Sequence, residues 1–269
     1  MATAVICEFN PFHNGHKYLL ESAKNVLKEP VIAIMSGSFT QRGEVAVCDK
    51  FVRAKSALEN GADLVLELPV VFSLSGAEGF AKAGVAIASA FKCTNYLAFG
   101  SESGDCELLK KSANAVCDER VQALVRDGMK NGGYYPRELE NAVKTVFGDE
   151  ISSVLCEPNN ILGVEYIKAL NGTGVEPFSV SRTGVAHDSR IAGEGFASAS
   201  HIREMLRNGE NAKKYAPYIP DEFTFPENLD RPLLYRLRTM TREDIAKLPD
   251  VGEGLENRIA DAAVRCSTS

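Results

Sequence analysis

Two histidines three positions apart stand in the stretch FNPFHNGHKYLLESAK, at residues 9–24. An apolar run, TAVICEF, precedes them, and an amphipathic run, HKYLLESAKNVL, follows them. These patterns predict a strand, a turn containing His13, Asn14 and Gly15, and a helix that begins near His16. A helix N-terminus offers free N–H groups to phosphate oxygens, and imidazoles can add hydrogen-bond donors. Gly15 has no Cβ, so a nucleotide can lie directly against the backbone.

Two other interpretations compete with this one: a turn that contains two histidines by chance, and a metal site, since His-x-x-His can chelate a cation. Glu8 is the one further ligand type close by, whereas zinc sites use three or four protein ligands. The context therefore favours phosphate handling, and we predict no metal site. His13 and His16 are the predicted catalytic residues, because phosphoryl and nucleotidyl transfer needs mainly positioning and charge stabilisation.

The amino-acid composition excludes several classes of protein. The chain has 269 residues and a formal net charge of −6, which excludes a wholly basic surface, so any nucleic-acid contact needs local patches. The seven cysteines form no C-x-x-C pair, which is typical of reduced thiols in a cytoplasmic protein. We find no signal peptide and no apolar run long enough for a membrane span, so we expect a cytoplasmic protein with no membrane partner.

Strand-like and helix-like runs alternate along the chain, which predicts an α/β protein with a Rossmann-like, doubly wound parallel sheet. Both sheet faces should be covered, because the strands are apolar with little alternation. The predicted strands span residues 3–9, 31–36, 63–69, 95–102 and 176–182. The helices between them are predicted at residues 16–27, 50–61, 75–92 and 159–170, with residues 105–148 mostly helical.

The last third of the chain differs from the rest in composition and in predicted secondary structure. A glycine- and serine-rich loop fills residues 183–197, and the helix after it has Ser198 or Ser200 as its predicted N-cap. Asn159 or Asn160 is the predicted cap of the preceding helix. Residues 215–231 are predicted to form a linker and residues 233–264 a helical tail, so we expect a main domain at 1–215 and an appendage at 216–269.

The stretch NPFHNGH resembles the signature of the HxGH nucleotidyltransferase superfamily. Longer stretches resemble the tRNA(Met) cytidine acetate ligase family, from about residue 1 to about residue 207 and more weakly beyond. They are CEFNPFHNGHKYLL, MSGSFTQRGEVAVCDKFVRAKSAL, GADLVLELPVVFSLSGAEGFA, FGSE, NNILGVEYIKAL and ASASHIRE. The weaker part is YRLRTMTREDIAKLPDVGEGLENRI.

This resemblance implies an ATP-dependent ligase. Acetate and ATP, with Mg²⁺ as the expected companion, would give acetyl-adenylate and pyrophosphate. The N4 amine of the wobble cytidine of elongator tRNA(Met) would then take the acetyl group. The fold implied is the HxGH nucleotidyltransferase type, with residues 1–215 as the catalytic domain and a mostly helical C-terminal appendage.

The resemblance also implies a set of ATP-binding residues. They are Ile6, Cys7, Glu8, Phe9, Asn10, Pro11, Phe12, His13, Asn14, Gly15, His16, Lys17, Tyr18, Leu19, Gly100, Asn159, Asn160, Arg182, Ser200 and Arg203. Ser198, Ser200 and Arg203 would hold the β- and γ-phosphates. From the residues alone, Gly100 is an ordinary turn glycine and Arg182 a solvated loop arginine.

Two further pairs have donors without an assigned role. Gln41 and Arg42, directly after the second strand, suit a carboxylate, a phosphate or a cytosine edge, and a place in the substrate pocket is favoured over a loop that only covers the end of the sheet. His187 and Asp188 resemble a catalytic dyad, but no nucleophile motif accompanies them, so loop structure or closure over substrate is favoured.

The C-terminal part leaves the acceptor open. Members of the family that the chain resembles are longer and carry a basic segment suited to RNA. Here the basic residues are Lys213, Lys214, Arg231, Arg236, Arg238 and Arg242. Two alternatives therefore stand beside the ligase: a nucleotidyltransferase that adenylylates a small molecule, and a non-catalytic nucleotide- or RNA-binding relative.

Overall fold

Five apolar segments form one parallel sheet in the computed structural model, which describes residues 1–41, 43–182, 195–249 and 251–268. The strands are β1 Ala2–Cys7, β2 Val31–Ser36, β3 Leu64–Leu68, β4 Thr94–Ser101 and β5 Glu176–Ser181. Their order is β3-β2-β1-β4-β5, and every neighbouring pair is parallel. The predicted doubly wound sheet is confirmed. β1 ends two residues earlier than predicted, and Phe9 then takes a φ of 50°, outside the strand region.

Helices fill the connections between the strands. In the first part of the chain they are α1 Asn14–Leu27, α2 Lys50–Glu59, α3 Val70–Ser73, α4 Ala77–Ala90, α5 Cys106–Cys117, α6 Glu119–Lys130, α7 Tyr135–Phe147, α8 Asp149–Ser153, α9 Pro158–Leu170 and α10 Ala199–Arg207. Later come α11 Asp230–Thr239, α12 Arg242–Ala246 and α13 Leu255–Arg265, with 3₁₀ turns at Val154–Cys156 and Pro226–Leu229. Within the described ranges, none of these helices has the length and apolar character needed to cross a bilayer.

Alternate side chains of β1 face opposite sides of the sheet, and each side is covered by helices. Ala4 and Ile6 pack in the core that α4, α5 and α9 cover, whereas Val5 and Cys7 pack in the core that α1 and α2 cover. Glycines let two helices approach the sheet closely. A Cβ on Gly84 of α4 would lie 2.5 Å from Ile6 Cδ1, and one on Gly163 of α9 would lie 2.8 Å from Phe99 Cε2.

Contacts divide the chain into two compact units, Met1–Glu222 and Phe223–Ser269. Two arginines hold the second unit together. Arg238 donates to the backbone carbonyls of Ala263 (2.6 Å) and Cys266 (2.7 Å). Arg242 donates to Asn257 Oδ1 (2.6 Å) and Asp261 Oδ1 (2.8 Å). Both side chains therefore join the start of the unit to α13 at its end.

Candidate active site

The two histidines cap α1 together. His13 is the N-cap residue, and its Nδ1 accepts a hydrogen bond from the Gly15 backbone N–H at 3.0 Å. The His13 backbone N–H donates in turn to His16 Nδ1 at 3.3 Å, and the ring centroids stack 3.7 Å apart. The predicted helix start near His16 was therefore too late, because an imidazole satisfies the free N–H groups that a serine or aspartate usually takes.

Both imidazoles are neutral at physiological pH. His13 is only 5% exposed, and burial, reinforced by the charges of Arg182 and Arg203, lowers its pKa to about 3. Burial also lowers the pKa of His16 well below its ordinary value, with His13 and Arg182 adding to the effect. Each Nδ1 accepts a hydrogen bond, so the single proton of each neutral ring is on Nε2. Each ring therefore presents one uncharged donor.

The neighbours of this pair restrict its geometry. A Cβ on Gly15 would lie 2.8 Å from His13 Cε1, so the glycine leaves room for the capping imidazole. Gly15 also lines the cavity, so the approach of a nucleotide to its backbone stays a prediction. His16 lies against two aromatic rings, with centroid distances of 4.9 Å to Phe9 and 5.8 Å to Phe12. Packing on both sides fixes the orientation of the rings.

Asn14 connects the turn to distant parts of the first unit. Its Nδ2 donates to the carbonyls of Gly195 (2.7 Å) and Lys214 (3.1 Å), and its backbone N–H donates to the carbonyl of Tyr215 (2.9 Å). The side chain is therefore used to hold the start of α1 in place. Residues 214 and 215 belong to the packing around the turn.

The histidine pair faces a cavity of about 390 Å³ at the carboxyl edge of the sheet, where open α/β sheets bind ligands. Most of the predicted ATP-binding residues line it: Ile6, Cys7, Glu8, Phe9, Asn10, His13, Gly15, His16, Tyr18, Leu19, Gly100, Asn159, Arg182, Ser200 and Arg203. Five others lie outside the lining: Pro11, Phe12, Asn14, Lys17 and Asn160. The structure thus brings the predicted set together, and their binding role stays a prediction.

Arg182 enters the cavity beside Gly100. Its Cγ lies 3.5 Å from the position that a Cβ on Gly100 would occupy, an ordinary contact distance, so the arginine stem packs over the end of β4. Burial lowers the pKa of Arg182, and the nearby Glu102 opposes that shift. Its Nε is buried and has no hydrogen-bond partner within the described part of the chain. The alternative of a solvated loop arginine is therefore wrong.

Glu102, which sequence reasoning did not single out, organises the start of α9. Its Oε1 accepts from Asn159 Nδ2 at 2.5 Å, and its Oε2 accepts from the Asn160 backbone N–H at 2.9 Å. The predicted caps Asn159 and Asn160 are wrong, because α9 begins at Pro158 and both asparagines lie in its first turn. Glu102 uses one of the two Asn159 amide N–H donors, which fixes the side chain with its Oδ1 and its second N–H available to a ligand.

A second helix N-terminus reaches the cavity through α10. Ser198 is its N-cap, as one of the two predictions had it, and its Oγ accepts from the His201 backbone N–H at 3.1 Å. Arg203 Nη1 donates to the Asn10 carbonyl at 2.9 Å, and its Nη2 lies 3.7 Å from Glu44 Oε2. Arg203 thus joins α10 to the loop after β1. Arg42, His187 and Asp188 lie outside the described residues.

Arg53 of α2 is a further residue that the sequence did not reveal. It is 1% exposed and donates to the backbone carbonyls of Glu8 (2.6 Å), Ser36 (3.1 Å), Cys48 (3.2 Å) and Gly37. The ends of β1 and β2 are thereby held together. No periodicity marks such a buried arginine, since its partners are backbone groups of other elements.

The two cysteines in this region are poor nucleophiles. Burial raises the pKa of Cys7 well above its ordinary value and that of Cys48 to about 11. Both thiols therefore stay protonated at neutral pH, and the chemistry of the cavity falls to hydrogen-bond donors and charges.

A parallel sheet with a histidine-bearing turn after β1, at the start of α1, defines a nucleotidyltransferase of the HIGH class. The model of the HIGH Nucleotidyl Transferase family matches residues 1–269. The chain belongs to this family, within its branch of tRNA(Met) cytidine acetate ligases, as its relatives show. The enzyme of that name from Caldanaerobacter subterraneus subsp. tengcongensis is 39% identical over 283 residues, which cover 97% of this chain and 70% of that protein. The one from Thermosipho africanus is 36% identical and covers 96% of this chain and 66% of that protein.

Solved structures agree with these relatives. The apo crystal structure (form I) of Thermotoga maritima TmcAL superposes with a TM-score of 0.90 at 33% identity, covering 99% of this chain and 69% of that one. The same protein bound with alpha-thio ATP (form II) gives a TM-score of 0.88 at 33% identity, covering 99% and 68%. The chain thus spans about two thirds to seven tenths of the length of these proteins.

Proposed function

We propose that this chain is an ATP-dependent ligase. It activates acetate as acetyl-adenylate and transfers the acetyl group to the N4 amine of the wobble cytidine of elongator tRNA(Met). The observation that carries the proposal is the pair of stacked imidazoles at the start of α1, each accepting a hydrogen bond at Nδ1, in a cavity shared with Arg182 and Arg203. The relatives named tRNA(Met) cytidine acetate ligase, and the TmcAL structure with alpha-thio ATP, support it.

In the first step a carboxylate oxygen of acetate attacks the α-phosphorus of ATP. An O–P bond forms, the bond from the α-phosphorus to the bridging oxygen breaks, and pyrophosphate leaves with the electron pair. No proton moves, because acetate is already ionised at neutral pH. The Nε2–H groups of His13 and His16 donate to the phosphate oxygens that gain charge in the transition state. Arg182 and Arg203 supply the positive charge.

In the second step the cytidine amine attacks the acetyl carbonyl carbon. The C–N bond forms, the bond between that carbon and the adenylate oxygen breaks, and AMP leaves. The amine loses one proton, which passes to water. Because the carbonyl is activated as a mixed anhydride, this step needs mainly an approach path to the cavity and a positioned adenylate.

Mg²⁺ is proposed as part of the nucleotide substrate. The described residues contain no group of three or more His, Cys, Asp or Glu side chains arranged to hold a metal ion. An ion that binds to the triphosphate oxygens and keeps most of its water needs no such group of side chains, and Mg²⁺ commonly binds in this way. Because its proposed acceptor is a tRNA, we propose that the chain acts in the cytoplasm.

The test is ATP–pyrophosphate exchange with labelled pyrophosphate, with and without acetate, followed by addition of elongator tRNA(Met). Acetate-dependent exchange and subsequent N4-acetylcytidine formation are the expected results. Exchange that requires another acceptor would indicate a small-molecule nucleotidyltransferase. ATP binding without any exchange would indicate a non-catalytic relative.

A further inference from the structure

A tight turn follows β2 at the rim of the cavity; we call residues 38–41 and 43–46 the β2 turn. The Thr40 N–H donates to the Glu44 carbonyl at 2.9 Å, and the Gly43 N–H donates to the Thr40 carbonyl at 3.0 Å. Phe39 and Val45 form an isolated antiparallel bridge across it. Thr40, Gln41 and Glu44 line the cavity.

The turn is fastened to the end of β1. The Gln41 backbone N–H donates to Glu8 Oε1 at 2.6 Å, and Arg53 holds the Glu8 carbonyl together with those of Ser36 and Gly37. These contacts fix where the Gln41 side chain leaves the backbone. A side chain on such a support is preorganised for a ligand.

Gln41 lines the cavity, and its amide has an unused donor. Its Nε2 is buried from solvent and has no hydrogen-bond partner in the ranges that the structure describes. Buried donors are normally satisfied, so an unpaired one that lines a cavity indicates an acceptor on the ligand. Arg182 Nε, at the end of β5, has the same character.

The strand order separates these two donors. Gly100 lies near the end of β4 and Arg182 follows β5, both on one side of β1, whereas Gln41 follows β2, on the other side. The histidine turn follows β1, between them. If the nucleoside lies towards β4 and β5 and the triphosphate lies over the histidine turn, the remaining space beside the α-phosphorus is on the β2 side. The reactant that attacks the α-phosphorus then binds on that side.

We infer that Gln41, on the cavity side of the β2 turn, binds the carboxylate substrate: its amide donates to one carboxylate oxygen while the other faces the α-phosphorus. A neutral amide suits this task, because it orients the carboxylate without neutralising the attacking oxygen. The inference rests on the proposed function and adds the residue that selects a carboxylate.

The variants Gln41→Leu and Gln41→Glu test it, with Ser38→Ala as the matched control, because Ser38 is an exposed residue of the same turn and outside the cavity lining. ATP affinity is measured directly by calorimetry, and the KM for acetate by ATP–pyrophosphate exchange at saturating ATP. We expect Gln41→Leu to raise the acetate KM about tenfold or more, as for loss of a hydrogen bond to a charged group. Gln41→Glu should be worse, since its charge repels the carboxylate. ATP affinity should be unchanged in both, and Ser38→Ala should match the parent chain.

Three results would overturn the inference. If Gln41→Leu keeps the parental acetate KM, the carboxylate site is elsewhere, and the proposed ligase still stands. If Gln41→Leu weakens ATP binding with an unchanged acetate KM, Gln41 serves the nucleotide. If the parent chain itself shows no exchange with acetate, formate or propionate, the proposed function fails, and the inference fails with it.

Discussion

The chemistry of the site depends on the protonation of His13 and His16. Cationic histidines would attract a triphosphate but would also bind pyrophosphate tightly. Neutral rings that donate through Nε2 give their strongest interaction to oxygens that gain charge during transfer. Burial beside Arg182 and Arg203 enforces the neutral form, and the capping hydrogen bonds choose the tautomer.

His13→Asn separates capping from catalysis. Asparagine is a good N-cap, so its side chain can still accept from the Gly15 N–H, but it cannot reproduce the Nε2–H donor. We expect turnover in the exchange assay to fall about 10²–10³-fold, with a melting temperature close to that of the parent chain. His13→Ala, the comparison variant, should lose the same turnover and about 1 kcal/mol of stability as well. Near-parental turnover of His13→Asn would remove His13 from transition-state stabilisation.

Low pH should destabilise the ligand-free protein through His13. Its pKa is about 3 when folded, against an ordinary value of 6.5, so between these values the unfolded chain binds a proton that the folded chain does not. The free energy of unfolding therefore falls as pH falls through this window, by up to about 1.4 kcal/mol per pH unit for this one group. Urea unfolding at about pH 7, 6 and 5 should show the parent chain losing stability relative to His13→Asn. Parallel pH profiles for the two proteins would contradict the lowered pKa.

Three helix starts meet at the carboxyl edge of the sheet, and each is satisfied differently. α1 is capped by imidazoles, α10 by Ser198, and α9 by the remote carboxylate of Glu102. The Glu102 contact also fixes the orientation of the Asn159 amide, because it accepts one of the two amide N–H groups. The helices thereby define both the positive field of the cavity and the polarity of single side chains.

Glu102→Gln should weaken ATP binding. The substituted amide cannot accept from both Asn159 and the buried Asn160 N–H, so α9 loses a partner and Asn159 can turn. We expect about a tenfold higher Kd for ATP and a loss of about 1–3 kcal/mol in stability. Calorimetric titration and urea unfolding measure the two effects. Glu157→Gln, an exposed carboxylate at the N-cap of α9 that makes no side-chain cap, is the control and should change neither. Parental ATP affinity in Glu102→Gln would show that Asn159 needs no such support.

The cavity lies entirely within the first unit, because its lining residues run from Ile6 to Arg203. We propose that Met1–Glu222 is the catalytic domain. In the second unit, Arg238 and Arg242 are used in internal contacts. Arg231 and Arg236 of the second unit are exposed, and they are therefore better candidates for contacts with the phosphate backbone of an RNA.

A chain ending at Glu222 should therefore bind ATP with parental affinity and retain acetate-dependent exchange. Acetylation of elongator tRNA(Met) should fall, since the proposed tRNA contacts of Arg231 and Arg236 are removed. Direct ATP titration and the two-stage assay measure both steps, and the full chain with Arg231→Glu and Arg236→Glu serves as the comparison. That variant should keep exchange and lose acetylation. Loss of ATP binding in the shorter chain would show that the site needs the second unit.

The amino-acid sequence by itself determined the parallel sheet and the place of the site. Apolar strands that alternate with amphipathic helices are compatible with few folds other than a parallel α/β sheet. Because HNGH directly follows the first strand, it must lie at the carboxyl edge of that sheet. Such features are local, because they depend on periodicity and on neighbours within a few residues. The same local rules misplaced the start of α1 and the caps of α9, because the groups that satisfy those helices are not the usual capping residues.

Only the tertiary structure decided the protonation of the histidines and the surroundings of the cavity. The lowered pKa of His13 comes from burial and from the charges of Arg182 and Arg203, which are far along the chain. The hydrogen bonds of Glu102 and Arg53 are likewise made to residues of other elements. The burial of the unpaired Gln41 Nε2 also depends on residues outside its own turn. Burial and long-range hydrogen bonds are properties of the packed chain, and no spacing within one segment encodes them.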